Sequence, residues 1–125
     1  MQSGSVSVVP KRGEIWLIID NPSIPNDPHF PRKVVIVSTN PRNRTWDSVI
    51  VVPCSTGLQS ANEKFHKPIP AGQGGLDRET HARCDLVSNL EKINLDFEQG
   101  PLGELSEKYM WEIVRGIRAC VGDNP

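Results

Sequence analysis

Three short runs of β-branched and apolar residues crowd into the first 54 positions, and they restrict the fold more than any other feature. Residues 13–20 (GEIWLIID), 33–39 (KVVIVST) and 48–54 (SVIVVPC) read as strands, each bounded by Asn, Pro, Asp or Gly. Weaker candidates follow at 65–69 and 81–87, with a shorter piece near 92–95, separated by the glycine-rich AGQGG. No link between them is a long crossover. The pattern therefore predicts a mainly β fold, a strongly curved small antiparallel barrel rather than a parallel sheet. From Ser106 the period changes: Tyr109, Met110, Ile113, Val114, Ile117, Cys120 and Val121 recur at steps of three and four, one apolar face of a closing helix. Ser106 is placed to cap that helix. Gly116 inside it costs about 1 kcal/mol against Ala unless a close neighbour, such as a second subunit, needs the missing side chain.

At 125 residues the chain is expected to form one domain, residues 11–122, behind a loose lead-in of residues 1–10 (MQSGSVSVVP). No apolar stretch approaches the roughly 20 residues that span a bilayer, and the lead-in lacks the basic start and apolar middle of a secretory signal. The expectation is a soluble, cytoplasmic protein. Cys54, Cys84 and Cys120 are odd in number and far apart, which predicts buried reduced thiols rather than a disulfide framework or a zinc site. His29, His66 and His81 are equally scattered, so no metal or other cofactor is expected.

The net charge of −1 argues against a general nucleic-acid coat. Its distribution is uneven, however. Residues 1–67 carry eight Lys and Arg against five Asp and Glu, net +3, and residues 68–125 carry six against ten, net −4. Lys11, Arg12, Arg32, Lys33, Arg42 and Arg44 can form a local basic surface if the fold gathers them, or remain ordinary solvated charges.

Three segments carry chemistry. VIVVPCSTG (49–57) ends an apolar strand on Ser55 and Thr56, hydroxyls that face either solvent or a polar ligand. NPSIPNDPHFP (21–31) holds four prolines in eleven residues, a stiff excursion that delivers the permanently charged Arg32 to the start of the next strand. In Arg83-Cys84-Asp85, strand alternation puts Arg83 and Asp85 on one face, as catalysis or a plain salt bridge would require. Histidine in general changes charge near neutrality, which makes His29 and His81 further candidates. Of the tryptophans, Trp16 reads as core, Trp111 as core or dimer surface, and Trp46, between Arg44 and Asp47 in a polar turn, as the residue placed to stack on a base or to pack over the barrel mouth.

The opening RGEIW, the apolar strand after Arg32 that ends in Ser38, VIVVPCST, Arg83-Cys84-Asp85 and a single final helix occur in this order from Lys11 to Val121. Together they resemble the MazF/PemK family of toxin endoribonucleases. The resemblance implies an SH3-like barrel of the CcdB/MazF type with a C-terminal α-helix, usually a homodimer. It implies a type II toxin that cuts single-stranded RNA sequence-selectively and without a metal, and that a cognate antitoxin restrains. Cleavage would proceed by attack of the 2′-hydroxyl, leaving 2′,3′-cyclic phosphate and 5′-hydroxyl ends. Arg32 would stabilise the phosphorane, Ser55 and Thr56 would position the phosphate, and Asp85 and Arg83 would act as base and acid. Lys11, His29, Lys33, Arg44, Trp46 and His81 are the candidate RNA contacts. The sequence departs from the family pattern where Lys33 replaces a proline after the arginine, and where Ser55 replaces the first threonine. A CcdB-like gyrase poison and a catalytically silent SH3-like module binding RNA or peptide are the alternatives; the ending VGDNP, without Trp-Gly-Ile, counts against the former.

Overall fold

A computed structural model describes residues 8–19, 32–58 and 60–123. Its elements are β1 (Glu14–Ile18), β2 (Arg32–Ile36), α1 (Asn40–Thr45), β3 (Ser48–Ser55), β4 (His66–Ile69), β5 (Thr80–Arg83), β6 (Ser88–Glu91), β7 (Gly103–Glu104) and α2 (Glu107–Cys120). The strands form one antiparallel sheet in the order β4-β5-β3-β2-β1-β7, with β6 also paired to β3. The mainly β architecture with one long C-terminal helix is the expected one, the sheet curling as a half-barrel.

β3 generates the curl. Its first half pairs with β6 (Ser48↔Glu91 to Val51↔Ser88), and its last two residues pair with β5 (Cys54↔Ala82, Ser55↔His81) on the same edge. Pro53, which has no N–H to donate, stands where β3 passes from one partner to the other.

The apolar runs are continuous because the sheet is buried on both faces. Ile15, Val35, Val52, Ala82 and Ile69 pack beneath α2 against Met110 and Ile113. Their chain neighbours Trp16, Val34, Ile36 and Val51 point the other way, into a second cluster with Ile18, Val49 and Leu95. Trp16 is thus core, as its place in a strand predicts, and its ring meets Phe97 edge-on at 5.1 Å.

Several local expectations are corrected. Asp85 is not on a strand: β5 ends at Arg83, and residues 84–86 form a 3-10 turn. The piece near 92–95 is also a 3-10 turn, Lys92–Asn94, touching the sheet through a single Ile18↔Leu95 bridge; the strand lies just before it. The short α1 has no apolar period, and is held instead by the buried Asn43, whose amide donates to the Ser38 carbonyl at 3.1 Å and accepts from the Ser38 hydroxyl. Ser106 precedes α2 without a side-chain cap. Gly116 does face a close neighbour, but within this chain: an added Cβ would lie 2.5 Å from Cys84 Sγ. Trp111 is on the outer face of α2 and not in the core. In the AGQGG turn, Gly75 has a φ of +79° and lies against the Leu102 carbonyl, an approach no side chain permits.

Candidate functional site

Strand register builds the site. β1 and β2 pair Ile18 with Arg32, and β3 and β5 pair Ser55 with His81. β2 and β3 pair Val34 with Pro53, the last pair of their ladder, and Arg32 and Ser55 each lie two residues beyond it, on the same face. One row therefore runs Arg32, Ser55, His81 across three neighbouring strands. The next position along β5 is Arg83 on the same face, opposite His66 of β4. Since Cys54 and Ala82 face α2, alternation turns this row toward the opposite face, where it continues the Trp16 cluster as a polar border. All four side chains in it are half-buried. Thr56, exposed, follows in the bend after β3.

Asp85 joins the row from its turn. Arg83 Nε donates to Asp85 Oδ1 at 3.0 Å and Nη2 to Oδ2 at 2.8 Å, a two-pronged pair. That pairing, above all the hydrogen bonds from Arg83, lowers the carboxyl pKa from its ordinary value despite partial burial, and raises that of the guanidinium. His66 Nε2 stands 3.3 Å from Oδ1 on the other side. Its Nδ1 accepts the Asn62 N–H at 2.8 Å. The positive charges of Lys33 and Arg32 are near enough to Cys54 to oppose the burial that pushes its thiol up to about 12. Cys84, shielded beneath α2, is pushed up to about 12 by the same desolvation.

The structure thus brings together Arg32, Ser55, His81, Arg83 and Asp85, with Thr56 adjacent. Other candidates lie elsewhere. Lys33 alternates to the opposite face of β2, the α2 side, with its Nζ 3.7 Å from Asp77. Trp46 and Arg44 precede Ser48, the start of β3, whose other end Ser55 is about 23 Å along the strand at ~3.3 Å per residue. Trp46 is 60% exposed with Arg42 over its ring at 5.3 Å. Lys11 and Arg44 line a cavity of about 400 Å³ with Val8, Val9, Pro10, Glu14 and Asn40. His29 and the proline-rich segment lie outside the described residues. Among the described residues, no group of three or more His, Cys, Asp or Glu is arranged to hold a metal ion, and no helix is long and apolar enough to cross a membrane.

His66 is the residue the sequence does not single out. Phe65 to Ile69 signals a strand, but nothing local announces that this strand places an imidazole against a carboxylate 19 positions later.

The sequence pattern of a family described as PemK-like, MazF-like toxin of type II toxin-antitoxin system matches residues 11–121. No curated protein matches the chain significantly. Similar solved structures include an endoribonuclease in complex with its cognate antitoxin from a Mycobacterial species, 21% identical, with a TM-score of 0.70 over 90% of this chain and 95% of that one. Toxin MazF-mt6 of Mycobacterium tuberculosis is 17% identical, at 0.70 over 90% and 98%. A MazE-MazF structure from Deinococcus radiodurans is 14% identical, at 0.71 over 93% and 98%.

Proposed function

Because the chain belongs to the family of PemK-like, MazF-like toxins of type II toxin-antitoxin systems, we propose that it is an endoribonuclease that cuts single-stranded RNA by attack of the 2′-hydroxyl, without a metal, leaving 2′,3′-cyclic phosphate and 5′-hydroxyl ends. The observation that carries this is the single face shared by Arg32, Ser55, His81 and the Arg83–Asp85 pair. The reaction needs phosphorane charge stabilised, the phosphate oriented, a base for the 2′-hydroxyl and an acid for the 5′-oxygen. Arg32 supplies fixed charge and a planar fork for two phosphate oxygens, the neutralisation a metal would otherwise provide. Ser55 and Thr56 donate hydroxyls that orient the group in flight.

Asp85 and Arg83 serve as base and acid. In their mutual pair the carboxylate is ionised but weakened as a base. An RNA phosphate competes for the guanidinium. As Arg83 turns to it, Asp85 loses its strongest stabilising partner and regains basicity where the 2′-hydroxyl arrives. His81, Lys11, Arg44, His29 and the exposed Trp46 contact flanking nucleotides, and selectivity for the cut sequence resides among them. The toxin works in the cytoplasm as a homodimer, for which the exposed Trp111 and Val121 supply apolar surface. A cognate antitoxin covers the RNA face, in keeping with the complexes known among similar structures.

The test is incubation with long single-stranded RNAs in EDTA, with the cut ends mapped. Wild type should give discrete cuts with 2′,3′-cyclic ends, and Arg32→Ala should lower kcat/KM by at least about 100-fold, as loss of a charge stabiliser in the transition state does. A folded protein that cuts none of several RNAs would overturn the nuclease reading. Binding without cleavage would then point to the silent module, and loss of supercoiling in a gyrase assay to the other alternative.

A further inference from the structure

Asp85 has a second polar neighbour besides Arg83, the imidazole of His66. A carboxylate offers about four lone-pair positions. Arg83 takes one on each oxygen, and His66 Nε2 approaches a second on Oδ1. Oδ1 is therefore occupied from both sides, and the open position belongs to Oδ2. When the Arg83 fork turns to a phosphate, both of its bonds to Asp85 weaken together. What then keeps the carboxylate from swinging out into solvent from a turn whose side chain is already about one-third exposed?

The imidazole is suited to that task because it is itself fixed. Asn62 N–H donates to Nδ1 at 2.8 Å, and the Asn62 carbonyl accepts the N–H groups of Phe65 at 3.0 Å and His66 at 2.7 Å, closing a tight turn around the ring. With Nδ1 an acceptor, the neutral ring carries its proton on Nε2, facing Asp85. The His66 side chain is only 11% exposed, so it has little room for another rotamer. The 3.3 Å separation is long for a hydrogen bond, and contacts of this kind tighten when substrate is bound.

We propose that His66 is a positioning residue of the site: its Nε2–H holds Oδ1 of Asp85 while Arg83 engages the phosphate, and so presents Oδ2 to the 2′-hydroxyl. This rests on the nuclease reading above. Protons balance without a further reactant, because the 2′-hydroxyl proton passes to Oδ2 and His66 keeps its own throughout.

Two substitutions separate positioning from mere structure. His66→Asn retains an acceptor for the Asn62 N–H but cannot reach Asp85, whereas His66→Gln places an amide N–H near the original Nε2. Steady-state cleavage of one RNA should show kcat down about 10- to 100-fold in His66→Asn with KM within about threefold, and most of the rate restored in His66→Gln. Wild-type kcat in His66→Asn, or equal loss in both variants, would overturn the proposal.

A second measurement needs no cleavage. Long-range 1H–15N spectra of the wild type should show the Nε2–H tautomer of His66. The 13C titration of the Asp85 carboxyl, which is also faced by Arg83 and lies close to the Cys84 and Cys120 thiols, should move upward in His66→Asn and stay in place in His66→Gln. A Nδ1–H tautomer, or an unmoved Asp85 titration in His66→Asn, would overturn the proposal even if that variant folds poorly in the cleavage assay. If wild type cuts no RNA while these spectra come out as expected, the nuclease reading fails and His66 stands as the second anchor of Asp85.

Discussion

The Arg83–Asp85 pair ties the site to the stability of the turn that carries it. The carboxyl pKa is lowered in the folded protein, chiefly by hydrogen bonds from Arg83. A lowered folded value means that the pair's contribution is fully present above the ordinary carboxylate pKa of about 3.9, and is lost as pH falls through the folded value. Both side chains are partly solvated, so the contribution is about 1 kcal/mol or less. Thermal melts of Asp85→Asn should accordingly lie slightly below wild type at pH 7 and converge with it toward pH 3. A constant gap between the two curves down to pH 3 would show that the carboxylate's charge plays no part. The residue types of this pair were legible in the sequence, because Arg83 and Asp85 are two apart. Their geometry was not: alternation along a continuous strand predicts the shared face, whereas the chain reaches it by leaving the strand after Arg83. His66 was illegible for a different reason, since its partner is distant in sequence and its neighbours Phe65 and Lys67 give no hint of one.

At the scale of elements, α2 and the 3-10 turn at residues 84–86 are locked together at one point. Gly116 and Cys84 are both buried, and an added Cβ on Gly116 would meet the sulfur at 2.5 Å and Lys67 Cε at 3.2 Å. Gly116→Ala should therefore destabilise the fold by up to about 2 kcal/mol, because overpacking of about 1–3 kcal/mol offsets and exceeds the ~1 kcal/mol gained in helix propensity. Adding Cys84→Ala should recover part of that loss, a coupling that denaturant titration of the four proteins in the cycle would measure. Strict additivity would place the strain elsewhere. The turn held here presents Asp85, so the same contact fixes one side of the site from beneath. The helix was legible from its 3.6-residue period, and the three main strands from their β-branched runs. α1 was not, since five polar residues and Pro41 show no apolar period, and the buried Ser38–Asn43 bonds that hold the helix, though only five residues apart, leave no periodic signal.

Taken as a whole, the molecule divides its charge by face and by chain half. The basic N-terminal half supplies Arg32 to the site, and β5, from the acidic half, supplies Arg83, while on and beside α2 Lys67 pairs with Glu112 at 3.9 Å and Arg118 with Asp123 at 3.0 Å. A nucleic acid lying on the Arg32 face should therefore release counterions in proportion to the cations on that face alone. For single strands the slope of log K against log salt is about −0.7 per phosphate neutralised. Anisotropy titrations with a 2′-O-methyl RNA, which offers no attacking hydroxyl, should give a slope shallower by about 0.7 in Arg32→Ala and unchanged in Arg118→Ala. Arg44→Ala then decides the length of the track. Arg44 is on α1, before the start of β3, and Ser48 to Ser55 spans about 23 Å at ~3.3 Å per residue, so a short oligonucleotide held only at the Arg32 row should be blind to its loss. An RNA long enough to run the length of β3 should lose a further increment of slope, and should bind more weakly in Trp46→Ala by about 1–3 kcal/mol if a base stacks there. Equal slopes for Arg44→Ala and wild type at every RNA length would confine recognition to the Arg32 row, and would leave the cavity between Lys11 and Arg44 outside the RNA path.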